Sequence, residues 1–125
     1  MARILYLDDE EALVFLVTRM LEFLGYEATG RTVAADALSS FENEPGSFDL
    51  VLTDLSMPGM SGLDFAERVL KIRRDAAVAI VTGYVEPSDV QAAKSIGVLA
   101  VVTKPNSIEE MGRTVSELLA RKAAR

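Results

Sequence analysis

A chain of 125 residues, 50% apolar and 26% charged, has the size and composition of one globular domain with a substantial core, not of a disordered segment. Its formal net charge of −6, with Lys and Arg scattered along the chain, excludes the basic stripe that a nucleic-acid surface requires. Cysteine and histidine are both absent, which rules out disulfides, zinc thiolates, thiol nucleophiles and imidazole acid–base work.

Ile4 to Leu7 is a short apolar run ended by Asp8, Asp9, Glu10 and Glu11. It predicts a first buried strand followed by acids at a helix start, where the dipole favours negative charge. Only four apolar residues separate Arg3 from Asp8, too few for a signal peptide, and no run approaches the ~20 residues of a spanning helix. A cytoplasmic location with no membrane partner is expected. Leu13, Leu16, Val17, Met20 and Leu24 fall at helical spacing and predict the core face of a first helix, closed by Gly25 as the residue after the cap. Val14 and Phe15 lie off that face, near the acidic pair. They are expected to look outward and meet the helical bundle of a partner.

Glu27 to Arg31 predicts a second strand, near an edge because it is only partly apolar. Ala34, Ala37, Leu38 and Phe41 predict a second helix, stopped by Pro45 and Gly46. The stretch from Phe48 to Gly62, FDLVLTDLSMPGMSG, then carries a third strand whose run Leu50, Val51, Leu52 suits burial on both faces of a parallel sheet. Asp54 ends that run ahead of a Pro-Gly loop. A third helix follows Gly62, with Leu63, Ala66, Val69 and Leu70 inward and the pairs Asp64–Arg68 and Glu67–Lys71 on its wet side.

Val78 to Val81 predicts a fourth buried strand, followed by Thr82, Gly83 and Tyr84. A short helix starts near Pro87 and ends at Gly97. Leu99 to Val102 predicts the fifth strand, leading into Thr103, Lys104 and Pro105. Ser107 and Glu110 have capping-box spacing before a last helix faced by Ile108, Met111, Val115 and Leu118. The basic tail Arg121, Lys122, Arg125 suits cations at that helix's C-terminus.

Strand and helix alternate throughout, which predicts an α/β fold: one domain over residues 1–125 with a five-stranded parallel sheet and helices on both faces. A flavodoxin-like strand order of 2-1-3-4-5 is expected. In such a sheet all strand ends lie along one edge. Asp8 and Asp9, Asp54, Thr82 and Lys104 therefore converge on a single crevice. Clustered carboxylates hold a proton or a cation, and Mg²⁺ (or Mn²⁺) suits hard oxygen ligands. Beside that ion Asp54 suits a nucleophile toward a phosphoryl group, with Lys104 pairing one phosphoryl oxygen and the Thr82 hydroxyl donating to another. Each residue taken singly has an ordinary structural reading; their convergence carries the functional one.

With the motifs LYLDDEE, LVLTDLSMPGMSG, VTGY and VTKP at these separations, the chain resembles the receiver domain of two-component response regulators. In layout it is similar to single-domain chemotaxis receivers, from Arg3 to about Leu119. The resemblance implies a phosphorylation-activated signalling switch, not an enzyme. Asp54 matches the phospho-acceptor. Asp9 and Asp54, with the backbone carbonyl of Ser56, match direct Mg²⁺ ligands, and Asp8 matches the acid that holds the ion through water. Thr82 matches the switch hydroxyl and Lys104 the phosphate-binding lysine, which members usually join to its following proline, here Pro105, by a cis bond. The implied donor is a phosphohistidine on a histidine kinase or histidine phosphotransfer protein, and the implied output a downstream protein target.

Two positions modulate that picture. Members commonly carry Tyr or Phe where Val101 stands, and valine has no ring to rotate inward. Tyr84 matches the position that tunes phosphoryl lifetime, and its ring is expected to cover the phosphate partly. Two other classes fit the residues less well. An aspartate-nucleophile phosphatase of the haloacid dehalogenase type needs a second Asp where Glu10 stands, and a flavodoxin's first loop cradles phosphate, which Asp8 and Asp9 would repel. After Leu119 only a few residues remain, so no attached DNA-binding or enzymatic effector is expected. A free-standing receiver and the receiver part of a longer hybrid kinase or regulator both stay open.

Overall fold

The computed structural model describes residues 1–125. The elements run β1 (Arg3–Leu7), α1 (Glu11–Phe23), β2 (Glu27–Arg31), α2 (Ala34–Asn43), β3 (Leu50–Asp54), α3 (Gly62–Ile72), β4 (Val78–Thr82), α4 (Pro87–Ile96), β5 (Ala100–Thr103) and α5 (Ile108–Ala124). The strands form one parallel sheet in the order β2-β1-β3-β4-β5, as expected from the alternation of strand and helix. The expected bounds of β1, β2, β4 and β5 differ from the observed ones by at most one residue at each end, while β3 runs two residues past the apolar run Leu50–Leu52, to Asp54.

The sheet is sandwiched because its central strands are apolar on both sides. Every residue of β3 and β4 is buried, whereas the edge strands β2 and β5 are partly exposed. Side chains alternate across the pleat. Leu5, Leu7, Val51, Val78 and Ile80 pack against α2, α3 and α4, while Ile4, Tyr6, Leu50, Leu52 and Val81 pack against α1 and α5.

Local chemistry sets the helix ends. Gly97 caps α4 at φ 103°, a left-handed conformation that a side chain would strain. The Ser107 hydroxyl accepts from the Glu110 N–H at 3.1 Å, but the Glu110 carboxylate reaches back to the Asn106 N–H at 2.9 Å rather than to that of Ser107. The reciprocal cap is thus shifted by one residue. Ser61 caps α3 by accepting from Asp64 N–H at 3.1 Å, a Ser-x-x-Asp signal present in the sequence and not anticipated.

Two expectations are corrected. The first helix does not bury Leu16, which is 53% exposed; its buried residues are Val14, Val17 and Leu21. The run Leu13–Val17 is apolar all round the helix, so periodicity alone does not select a face. The sheet selects it: a Cβ on Gly30 would lie 2.5 Å from Val14 Cγ1, so the bare glycine makes the hollow that Val14 fills. On α3, no ion pair joins Asp64 to Arg68 or Glu67 to Lys71. These side chains are exposed or nearly so, and such a pair in water gains too little to order two long side chains.

Candidate functional site

The carboxyl ends of β1, β3, β4 and β5 bring Asp8, Asp54, Thr82 and Lys104 to one edge of the sheet. Register sets their level: Leu7 pairs with Thr53, Asp54 with Val81, and Thr82 with Thr103. The Lys104 N–H donates to the Thr82 carbonyl at 2.8 Å, which ties the two strand ends together. Asp8 is fully buried and Asp54 is 9% exposed, while Asp9 lies at the surface. Each of the three offers a carboxylate oxygen, and these oxygens all lie within 4.8 Å of one another.

One cation holds the two buried acids. Lys104 Nζ donates to Asp8 Oδ2 at 3.1 Å and stands 3.3 Å from Asp54 Oδ1. Burial pushes the Asp54 carboxyl above its ordinary range; the negative charge of Asp8 adds to this and Lys104 pulls back. Burial works against charge on Lys104 too, but its bond to Asp8 and the charge on Asp54 outweigh it and hold the ammonium above its usual value. Three acids against one lysine leave negative charge in excess. The donors are all hard oxygens, the set that suits Mg²⁺ or Mn²⁺.

Asp8 carries more bonds than motif reading foresees. Besides Lys104, the Tyr6 hydroxyl donates to Oδ2 at 3.0 Å and the Glu10 N–H donates to Oδ1 at 3.0 Å. The Tyr6 phenol is pushed up, first by burial and then by the charge on Asp8. Sequence reasoning overlooked Tyr6. The signal was present: residues two apart on a strand share a face, and a phenol inside an apolar run needs a hydrogen-bond partner.

Gly62 was noted only as the end of a loop, yet it shapes the site. Its N–H donates to the Leu55 carbonyl at 2.8 Å. A Cβ there would collide with the Asp54 carbonyl oxygen. The loop can therefore double back and set the start of α3 against the end of β3.

The other expected positions sort as follows. The Thr82 hydroxyl donates to the Tyr84 carbonyl at 3.2 Å and accepts from the Tyr84 N–H at 3.4 Å, so it is held by its own loop. The Tyr84 ring is 73% exposed. Ser56 is exposed on the loop after β3. Val101 is half-buried on β5 and packs against the core on the α4 side of the sheet. Phe15 is 60% exposed, with the Arg19 guanidinium 4.8 Å from its ring centroid. Val14, expected beside it on the outer face, is buried against β2 and is corrected here for the reason given above. The Lys104–Pro105 bond, expected cis, is trans, the form that X–Pro bonds favour by about 0.5–1 kcal/mol.

A family model described as the response regulator receiver domain matches residues 4–116. Sporulation initiation phosphotransferase F of Bacillus subtilis is 31% identical over 121 residues, spanning 97% of this chain and 96% of that protein. Sensory transduction protein RegX3 of Mycobacterium tuberculosis is 34% identical over 121 residues, but the chain spans only 52% of its length. The crystal structure of response regulator protein TrrA from Thermotoga maritima, in complex with Mg²⁺-BeF, matches with a TM-score of 0.82 at 31% identity, covering 94% of this chain and 99% of that one. No helix here is long and apolar enough to cross a membrane. The phosphatase alternative finds no support. The chain belongs to the response regulator receiver domain family: it is a phospho-acceptor domain of two-component signalling and a phosphorylation-dependent switch.

Proposed function

We propose that Asp54 takes the phosphoryl group, in a reaction that requires Mg²⁺ (or Mn²⁺). The observation that carries this reading is the Lys104 ammonium set between Asp8 at 3.1 Å and Asp54 at 3.3 Å, beside a third carboxylate. Asp9, Asp54 and the Ser56 carbonyl would hold the ion directly, and Asp8 through water. When bound, the ion relieves the repulsion among the acids and draws charge from phosphoryl oxygens. That a relative, TrrA, was solved in complex with Mg²⁺-BeF supports the choice of ion.

The donor is a phosphohistidine of a histidine kinase or phosphotransfer protein, which supplies the imidazole this chain lacks. An Asp54 oxygen bonds to phosphorus as the P–N bond breaks, and that electron pair stays on the partner's ring nitrogen. Lys104 pairs with one phosphoryl oxygen. Thr82 donates to another, and to do so its hydroxyl leaves the Tyr84 carbonyl, which releases the loop after β4. With Val101 on β5, no aromatic ring follows that movement, so the signal passes to a downstream protein through the loop and the α4–α5 face. Tyr84, now exposed, would fold over the phosphate and slow attacking water. Faster loss of phosphate in Tyr84→Ala is expected, and an unchanged or slower loss contradicts that role.

The test of the main reading is the mass of the intact protein after acetyl phosphate. Gain of one phosphoryl group with Mg²⁺, and none with EDTA, is expected. Equal labelling in both would contradict the metal requirement.

A further inference from the structure

Asp8 is held more completely than either of its neighbours. Its Oδ2 accepts from the Tyr6 hydroxyl at 3.0 Å and from Lys104 Nζ at 3.1 Å, and its Oδ1 accepts from the Glu10 N–H at 3.0 Å. An ionised carboxylate offers about four acceptor positions, so these donors leave roughly one. The donors differ in freedom. The Lys104 side chain is 26% exposed on a flexible stem and is shared with Asp54. The Tyr6 residue is only 2% exposed and packs in the core that includes Val17, Leu52 and Met111. The ring is thus anchored in the core, and its hydroxyl meets the buried Asp8 carboxylate.

We propose that Tyr6 is a positioning residue for the cation: its hydroxyl, buried in the core, locks the Asp8 carboxylate so that the one remaining acceptor position serves a water of the ion. The proposal rests on the metal-site reading above. Its physical basis is general, since partners that orient a ligand by hydrogen bonds from behind fix its geometry and its share of the ion's field. Tyr6 requires no movement and no titration to do this. It acts at the ground state of the site, before any phosphoryl group arrives. The competing account is that Asp8 merely satisfies a phenol that the core happens to bury.

Mn²⁺ binding followed by electron paramagnetic resonance separates the two accounts without any phosphorylation. Tyr6→Phe keeps the ring and deletes only the hydroxyl, and thermal unfolding in EDTA verifies that the variant is folded. Loss of an orienting partner typically weakens metal binding by 10–100-fold, so Mn²⁺ affinity is expected to fall about tenfold. In an Asp8→Asn background the same change is expected to have almost no further effect, because the hydroxyl acts through that carboxylate. Affinity within twofold of wild type, tighter binding, or a full-sized loss in the Asp8→Asn background would each overturn the proposal. Wild-type protein that binds no Mn²⁺ overturns the metal-site reading itself, and a wild type that binds as tightly as Tyr6→Phe overturns only the role of Tyr6.

Discussion

Lys104 Nζ stands 3.3 Å from Asp54 Oδ1, so the lysine already occupies one oxygen of the carboxylate it serves. Its second contact, 3.1 Å to the fully buried Asp8, makes it the common counter-charge of both acids. Replacing it with a neutral side chain of similar length leaves buried negative charge unpaired. Lys104→Met, which keeps the apolar stem, is expected to destabilise the metal-free protein by about 1–3 kcal/mol. That lies below the usual penalty for a fully buried pair because the lysine is 26% exposed. Urea unfolding in EDTA and in Mg²⁺ checks this: the ion should restore most of the loss, and equal midpoints for variant and wild type in EDTA would contradict it.

Gly62 meets the backbone of Asp54 where no Cβ fits. Gly62→Ala therefore has to move the loop that follows Asp54, or the start of α3, or both. Phosphorylation by acetyl phosphate is expected to slow at least tenfold, since small misplacements of reacting groups are costly. Circular dichroism should still show the helices. A Gly62→Ala protein labelled at the normal rate would show that the close approach has no bearing on the site.

Acid should act on Asp49 and Asp54 in opposite senses. Asp49 lies below the ordinary carboxylate range, first because the Arg3 N–H donates to it at 2.8 Å and then through Lys122. Its stabilising contribution is thus present above the ordinary Asp value of about 4 and is lost as pH falls through the depressed folded value. Asp54 is raised, so in the metal-free protein its ionised form carries a cost above its folded value, which acid relieves. Asp49→Asn should be less stable than wild type at neutral pH, with the gap closing in acid. Asp54→Asn should be more stable at neutral pH in EDTA, with its advantage shrinking in acid. Urea midpoints across this range decide both signs.

Phe15 presents its ring on the outer side of α1, with Arg19 beside it, while Val14 faces the sheet. Phosphotransfer from the cognate donor protein is expected to slow severalfold in Phe15→Ala, while labelling by acetyl phosphate stays normal. Truncation of an exposed aromatic anchor costs partner binding, not chemistry. Val14→Ala should instead lower stability by about 1 kcal/mol through lost packing. A normal transfer rate in Phe15→Ala would remove α1 from the docking surface.

What could be read from the amino acids alone follows from which interactions are local. The runs around Leu5, Leu52 and Ile80 were legible because strands buried on both faces need continuous apolar residues. Asp8, Asp54, Thr82 and Lys104 were legible because parallel topology puts their strand ends on one edge. The buried face of α1 was not, since Leu13 to Val17 offers apolar residues in every direction and the hollow at Gly30 makes the choice. The Tyr6–Asp8 bond hid inside an apolar run, and the cost of a Cβ at Gly62 depends on a backbone contact that no spacing encodes. The hydroxyl of Thr82 turns to its own loop, a preference set by the turn through Gly83 rather than by the strand.

The most direct measurement compares intact masses of wild type and Asp54→Asn after acetyl phosphate and Mg²⁺. One added phosphoryl group on the wild type and none on the variant is the predicted result. Equal labelling of the two proteins would contradict Asp54 as the acceptor.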